Sequence, residues 1–89
     1  MIKHINITVS GRVQGVAFRY STLNTAKYYD IKGFVKNKVN GSVYIEAEGN
    51  KEKLDLFVEW CKKGPDMARV DDILITESGI INFKLFEIR

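Results

Sequence analysis

Apolar and polar positions alternate near the start of the chain, where Ile5, Ile7 and Val9 are separated by Asn6, Thr8 and Ser10. That is the period-two pattern of a half-buried strand. A glycine-punctuated loop follows. From about Phe18 to Tyr29 the spacing becomes helical, with Leu23 and Ala26 inward and Tyr20, Tyr28 and Tyr29 partly covering the flanks. Gly33 to Asn37 reads as a second strand and Ser42 to Glu48 as a third, in which Val43, Ile45 and Ala47 share one face. Asn40-Gly41 between them signals a hairpin. Asn50 predicts the N-cap of a second helix, because Leu54, Phe57, Val58 and Cys61 fall at i, i+3, i+4 and i+7, with Leu56 and Trp60 as a flanking pair. Gly64-Pro65 stops that helix. Val70 to Thr76 and Ile81 to Ile88 read as two further strands, turning near Ser78-Gly79.

The order is β-α-β-β-α-β with one more short strand. It predicts an α+β, ferredoxin-like βαββαβ sandwich: an antiparallel sheet of four to five strands with two helices on one face. This architecture hosts many functions and names none. The 89 residues make a single domain spanning 1–89. A chain of this size buries only roughly 60–65% of its unfolded surface, enough for one core. There is no repeat, linker or low-complexity segment. No run reaches the ~18 apolar residues of a membrane span. Met1-Ile2-Lys3-His4 leads into the first strand without an apolar leader, so a cytoplasmic location is expected.

Between the first strand and the first helix lies Gly11-Arg12-Val13-Gln14-Gly15-Val16-Ala17-Phe18-Arg19. A glycine-containing loop that opens a helix presents N–H groups without intrahelical partners, and the helix dipole adds partial positive charge there. Such a loop is a ready site for a phosphoryl group, with Arg19 in the first turn as a forked, charged clamp. The same spacing also fits an ordinary strand–helix turn with a surface arginine. Other candidate chemistry is sparse. Cys61, the only cysteine, lies on the apolar stripe of the second helix and reads as a small buried hydrophobe. His4, the only histidine, reads as structural or exposed. One of each excludes an intramolecular disulfide, a cysteine metal cluster and a His-rich zinc site, and argues against a Cys–His dyad. The formal net charge of +3 is spread along the chain. It suits steering of a small anion and does not demand nucleic acid.

A second stretch, Gly33-Phe34-Val35-Lys36-Asn37-Lys38-Val39-Asn40-Gly41-Ser42-Val43, continues to Gly49. Together the two stretches resemble the acylphosphatase family. The first matches its glycine followed by Val-Gln-Gly-Val, one variable residue, an aromatic and an arginine. The second matches its Gly-aromatic-Val-x-Asn, three residues, Gly-x-Val, five residues, Gly. Further likeness appears at Gly64-Pro65, Ala68-Arg69-Val70 and Phe86-Glu87-Ile88, and the chain is the size of one family member. Asn40 stands where an aspartate commonly precedes the glycine, and Asn-Gly suits a hairpin equally well. The resemblance implies hydrolysis of the carboxyl–phosphate bond of acyl phosphates, giving a carboxylate and inorganic phosphate, with Arg19 and Asn37 as catalytic residues. Arg12 falls at a variable position of the pattern and reads as a solvated rim charge.

The residues themselves are compatible with that chemistry. Without the motif, Asn37 reads as a turn-forming asparagine. Its amide has no useful basicity, so it cannot abstract a proton, but it can hold a water by accepting one hydrogen bond and donating another. Hydrolysis without a general acid needs a leaving group that departs as an anion, and a carboxylate, with pKa near ~4, qualifies. The loop of Gln14, Gly15, Val16, Ala17, Phe18 and Arg19 is the expected phosphate-binding element. Neither cofactor nor metal is expected. The expected partners are a small-molecule acyl phosphate and its product, inorganic phosphate, with no membrane and no nucleic acid, and a monomer is expected. One rival is an RNA-recognition motif, which shares this topology, and Lys32-Gly33-Phe34-Val35 is similar to a fragment of its signature. That signature belongs on the third strand, where this chain carries one aromatic, Tyr44, and two acids, Glu46 and Glu48, that repel phosphates. A catalytically silent partner-binding domain is the other rival, and it leaves Arg19 and Asn37 no reason to face one another.

Overall fold

The computed structural model describes residues 1–89. Its elements run β1 (Ile2–Arg12), α1 (Phe18–Tyr28), β2 (Lys32–Asn37), β3 (Val43–Asn50), α2 (Lys51–Lys63), β4 (Arg69–Ser78) and β5 (Phe86–Ile88). The strands form one sheet in the order β4-β1-β3-β2-β5. This is the expected ferredoxin-like α+β arrangement. The β1–β3, β1–β4 and β2–β3 pairs are antiparallel, and the β2–β5 pair is parallel, so the sheet is mixed at one edge.

Strand alternation decides the faces. Ile5, Ile7 and Val9 of β1 lie opposite Ala47, Ile45 and Val43 of β3, so these six point to one side of the sheet. Phe18 and Ala26 from α1 and Leu54, Phe57 and Cys61 from α2 close over the same side, and together they form the core. The Phe18 ring sits 5.5 Å from that of Trp60, which joins the two helices. In α1 the inward position beside Ala26 belongs to Thr22, while Leu23 is only half-buried. Thr22 satisfies its hydroxyl by donating to the Phe18 carbonyl at 2.7 Å. The helix stripe of α2 is as expected, with Leu54, Phe57 and Cys61 buried and Leu56 exposed. Asn50 caps it by accepting from the Glu52 N–H at 3.0 Å.

The last strand departs from expectation. Only Phe86–Ile88 is extended ladder, and no hairpin forms at Ser78-Gly79, because β4 and β5 occupy opposite edges of the sheet. The intervening chain crosses the other face, where its backbone donors are claimed by a side chain. The Glu48 carboxylate accepts from the N–H of Ile81 at 2.7 Å and of Phe83 at 3.0 Å, and Asn82 between them has φ +68°. Those N–H groups are then unavailable to a strand neighbour. His4 is fully buried beneath this crossing, Nδ1 2.9 Å from Glu48 and Nε2 2.9 Å from Glu46, with Phe83 stacked on its ring at 5.7 Å. An ionised carboxylate only accepts, so with both acids ionised both ring nitrogens donate. His4 is thus structural. Burial alone raises the Glu48 carboxyl, but the bonds from Ile81, His4 and Phe83 outweigh it and hold it below the ordinary range. Tyr44, which donates to Glu46 at 2.8 Å, is pushed up to about 12 by burial and then by that bond.

Candidate functional site

The loop between β1 and α1 is shaped by one anchor and two left-handed residues. Phe18 is driven into the core and fixes where the helix begins. Gly15 has φ +75°, a conformation that glycine adopts without penalty, and a Cβ there meets no atom within 4 Å. Ala17, at φ 62° and ψ 25°, is also left-handed, and as a non-glycine residue it is strained there. Val16 between them lies outside the positive-φ region. This alternation turns successive N–H groups into one concavity suited to an anion.

The helix start is also left open. No backbone N–H from Gly15 to Tyr20 donates to a backbone carbonyl, and Ala17 offers no side-chain cap. The other helix of the molecule is capped by Asn50. The first turn of α1 has no acidic residue and carries Arg19 instead, a cation at the positive end of the dipole. Arg19 is exposed and forms no ion pair, whereas Arg69 and Arg89 are each held by an acid two residues away, Asp71 and Glu87.

Asn37 comes to the same place from the sheet. It lies two residues beyond buried Val35 on β2, so both project to the helix side, and it pairs with Val43 in the last rung of the β2–β3 ladder. The loop and the strand end meet in a cleft of ≈ 200 Å³ lined by Val13, Gly15, Ala17, Phe18, Arg19, Tyr20, Asn37 and Ile88. Of the residues singled out from the sequence, the structure brings Gly15, Ala17, Phe18, Arg19 and Asn37 together there. Gln14 and Val16 do not line it: Gln14 turns its side chain to the β2–β3 hairpin, and Val16 packs against the core. Val13, Tyr20 and Ile88 were missed. Tyr20 carried a signal in its adjacency to Arg19. Ile88 carried none, since it arrives through the parallel pairing of Val35 with Ile88.

The remaining candidates lie elsewhere. Arg12 is exposed, without an ion-pair partner, and outside the cleft. Cys61 is fully buried in the core, and burial pushes its thiol well up. No three His, Cys, Asp or Glu side chains gather as a metal-holding group. No helix is long and apolar enough to cross a membrane. A second cavity of ≈ 380 Å³ beside α2 has a rim of paired charges, Lys3–Glu77, Lys51–Asp55 and Lys62–Glu59. Paired ions of this kind leave no free group for chemistry.

A family model described as Acylphosphatase matches residues 5–88. An acylphosphatase of Archaeoglobus fulgidus is 44% identical over 84 residues, covering 94% of this chain and 94% of that protein. One of Mannheimia succiniciproducens is 46% identical over 81 residues, 90% of each. Among solved structures, the acylphosphatase of Bacillus subtilis matches with a TM-score of 0.95 at 41% identity, over 100% of this chain and 99% of that one.

Proposed function

The chain belongs to the acylphosphatase family, enzymes that hydrolyse acyl phosphates, and on that premise we propose how its cleft performs the reaction. The phosphoryl group sits against the N–H groups of the Gln14–Arg19 loop, with the Arg19 guanidinium as a bidentate clamp on its oxygens. Asn37 accepts one hydrogen bond from the attacking water and donates another, aligning it for in-line displacement at phosphorus. The acyl carboxylate leaves as an anion and needs no proton, so the cleft requires neither a general acid nor a base. An alkyl phosphate ester leaves as an alkoxide and does need one, which sets the selectivity of the site. The products are a carboxylate and inorganic phosphate.

The observation that carries this reading is the convergence in one cleft of an unpaired arginine, an asparagine with a free side chain and a run of N–H donors without backbone acceptors. In this reading residues 1–89 act as a single cytoplasmic domain, a monomer, without metal, cofactor, membrane or nucleic acid. A continuous assay with benzoyl phosphate, against a phosphate monoester as control, tests it. Turnover of the anhydride with none of the monoester is expected. Equal turnover of both, or of neither, refutes it.

A further inference from the structure

Gln14 precedes Gly15 in the loop, yet its side chain points away from the cleft toward the β2–β3 hairpin. Its Nε2 donates to the Lys38 carbonyl at 2.8 Å and to the Ser42 carbonyl at 2.9 Å. Lys38 and Ser42 are the residues immediately beyond Asn37 and Val43, the last pair of the β2–β3 ladder. One planar amide therefore spans the neck of the hairpin that carries Asn37.

The hairpin's other bonds are internal to it. Lys38 N–H donates to the Ser42 carbonyl at 2.8 Å, Gly41 N–H to the Lys38 carbonyl at 3.1 Å, and the Asn40 side chain accepts from the Ser42 N–H at 3.1 Å. These close the turn but do not set where it stands relative to the glycine loop. Residues 36–41 are exposed, so packing fixes only the β3 side of the neck, at buried Ser42 and Val43, and not the turn itself. The Gln14 side chain is a hydrogen-bonded tie between the two halves of the cleft. It uses both protons of its NH₂ group on two acceptors, a pattern that a carboxylate cannot supply and a hydroxyl, with one proton, cannot complete.

We propose that Gln14 is a positioning residue, whose side-chain amide holds the Asn37 hairpin in register with the Gly15–Arg19 loop. The inference rests on the reading of Asn37 as the group that aligns water. Its effect falls on kcat, because a displacement of about 1 Å in a positioning group costs on the order of 10²-fold. Phosphate binding, which belongs to the loop, is left in place.

The test is a double-mutant cycle in the full chain with benzoyl phosphate, using Gln14→Met, Asn37→Ala and both together. Gln14→Met keeps length and loses both donors. Gln14→Glu, equally long, sets acceptors against the two carbonyls and serves as the second variant. Circular dichroism melting selects an assay temperature at which every variant is folded. Gln14→Met is expected to lower kcat roughly 10- to 100-fold while the inhibition constant of inorganic phosphate changes less than about twofold. Asn37→Ala is expected to cost roughly 10²-fold in the unchanged chain and less than about threefold in the Gln14→Met background. If that cost is the same in both backgrounds, or if either Gln14 variant keeps normal kcat, the positioning role is overturned while Asn37 keeps its own. A weakened phosphate constant with normal kcat overturns it in favour of direct contact with the anion. If Asn37→Ala is silent in the unchanged chain, the underlying reading of Asn37 falls first.

Discussion

Replacing Glu48 with Gln is a nearly isosteric change with a large expected cost. The carboxylate accepts from His4 Nδ1 at 2.9 Å, Ile81 N–H at 2.7 Å and Phe83 N–H at 3.0 Å. Hydrogen bonds to a charged group contribute about 1.5–3 kcal/mol each and neutral ones about 0.5–1.5. Three bonds of about 2 kcal/mol become two of about 1, and one N–H group is left facing an amide donor. Removing the burial penalty of the carboxylate offsets part of the loss, leaving about 2–3 kcal/mol. An 89-residue chain has a total stability of about 4–13 kcal/mol, so this is a substantial fraction. With a urea slope of about 1.5 kcal/mol per molar, the unfolding midpoint at pH 7 should fall by about 1.5 M with the slope unchanged.

Acid supplies an internal check on the same group. The folded Glu48 carboxyl lies below its ordinary value because its hydrogen bonds outweigh its burial. A lowered carboxyl contributes stability that is present above the unfolded value near ~4.3 and is lost as pH falls through the folded one. The unchanged chain loses this contribution as pH falls from about 5 through the lowered folded value, and Glu48→Gln has none to lose, so the two stability curves should converge on acidification. The far end of β3, where Val43 pairs with Asn37, is five residues away, about 17 Å. The kcat of the folded variant should therefore be normal. A midpoint within about 0.3 M of the unchanged chain at pH 7, or parallel acid profiles, refutes the argument.

Arg19→Lys should recover little of the activity lost in Arg19→Ala, because an ammonium is a point charge without the planar fork; near-normal kcat/KM for the lysine variant contradicts the clamp. Inorganic phosphate should inhibit competitively and raise the melting temperature, since as a product it occupies the same N–H groups and Arg19; purely noncompetitive inhibition argues for a site outside the cleft. Activity should survive EDTA, and loss that Mg²⁺ or Zn²⁺ restores contradicts a metal-free mechanism. Treatment with a thiol-alkylating reagent under native conditions should leave Cys61 unmodified by mass spectrometry, because the thiol is fully buried and its pKa is raised.

Elements whose stabilising contacts repeat along the chain were legible in the sequence. The α2 stripe and its Asn50 cap both depend on neighbours within one or two turns, and both are found as read. The strand expected over Ile81–Ile88 shortens to Phe86–Ile88, although Ile81 and Phe83 alternate with polar residues as a strand does. Their N–H groups are instead taken by Glu48, more than 30 residues earlier, and no local pattern records that competition. Thr22 was passed over for Leu23 because hydrophobicity ranks leucine first, whereas the helix phase, fixed by Phe18 and Ala26, puts threonine inside. The glycine loop and Asn37 were legible through their motifs. Gln14 was assigned to the loop by its position in the motif, and the direction of its side chain follows only from where the hairpin folds back. The helical spacing puts Tyr20 on a helix flank, where it is 62% exposed, and nothing in that spacing shows that it also lines the cleft.

The start of α1 departs from ordinary helix chemistry in three ways, all unfavourable in the free protein. A left-handed alanine costs about 1–2 kcal/mol, a missing N-cap about 1, and a cation at the positive end of the dipole about 0.3–1. Together they amount to about 2–4 kcal/mol within Ala17 to Arg19. Phe18 lies between the strained residue and the misplaced charge and is 2% exposed. Its burial contributes about 2–3 kcal/mol, which offsets much of the cost of a conformation that its neighbours disfavour. An anion in the cleft reverses two of the three costs, since it accepts from the uncapped N–H groups and offsets the Arg19 charge. In the proposed mechanism this energy is available to the phosphoryl group of the substrate and to its transition state alike. Discrimination between those two then falls to the water held by Asn37. Residues 36–41 of the hairpin that carries Asn37 have no buried side chain comparable to Phe18, and in the proposed mechanism that puts the Gln14 amide among the parts of the site on which rate, rather than affinity, depends.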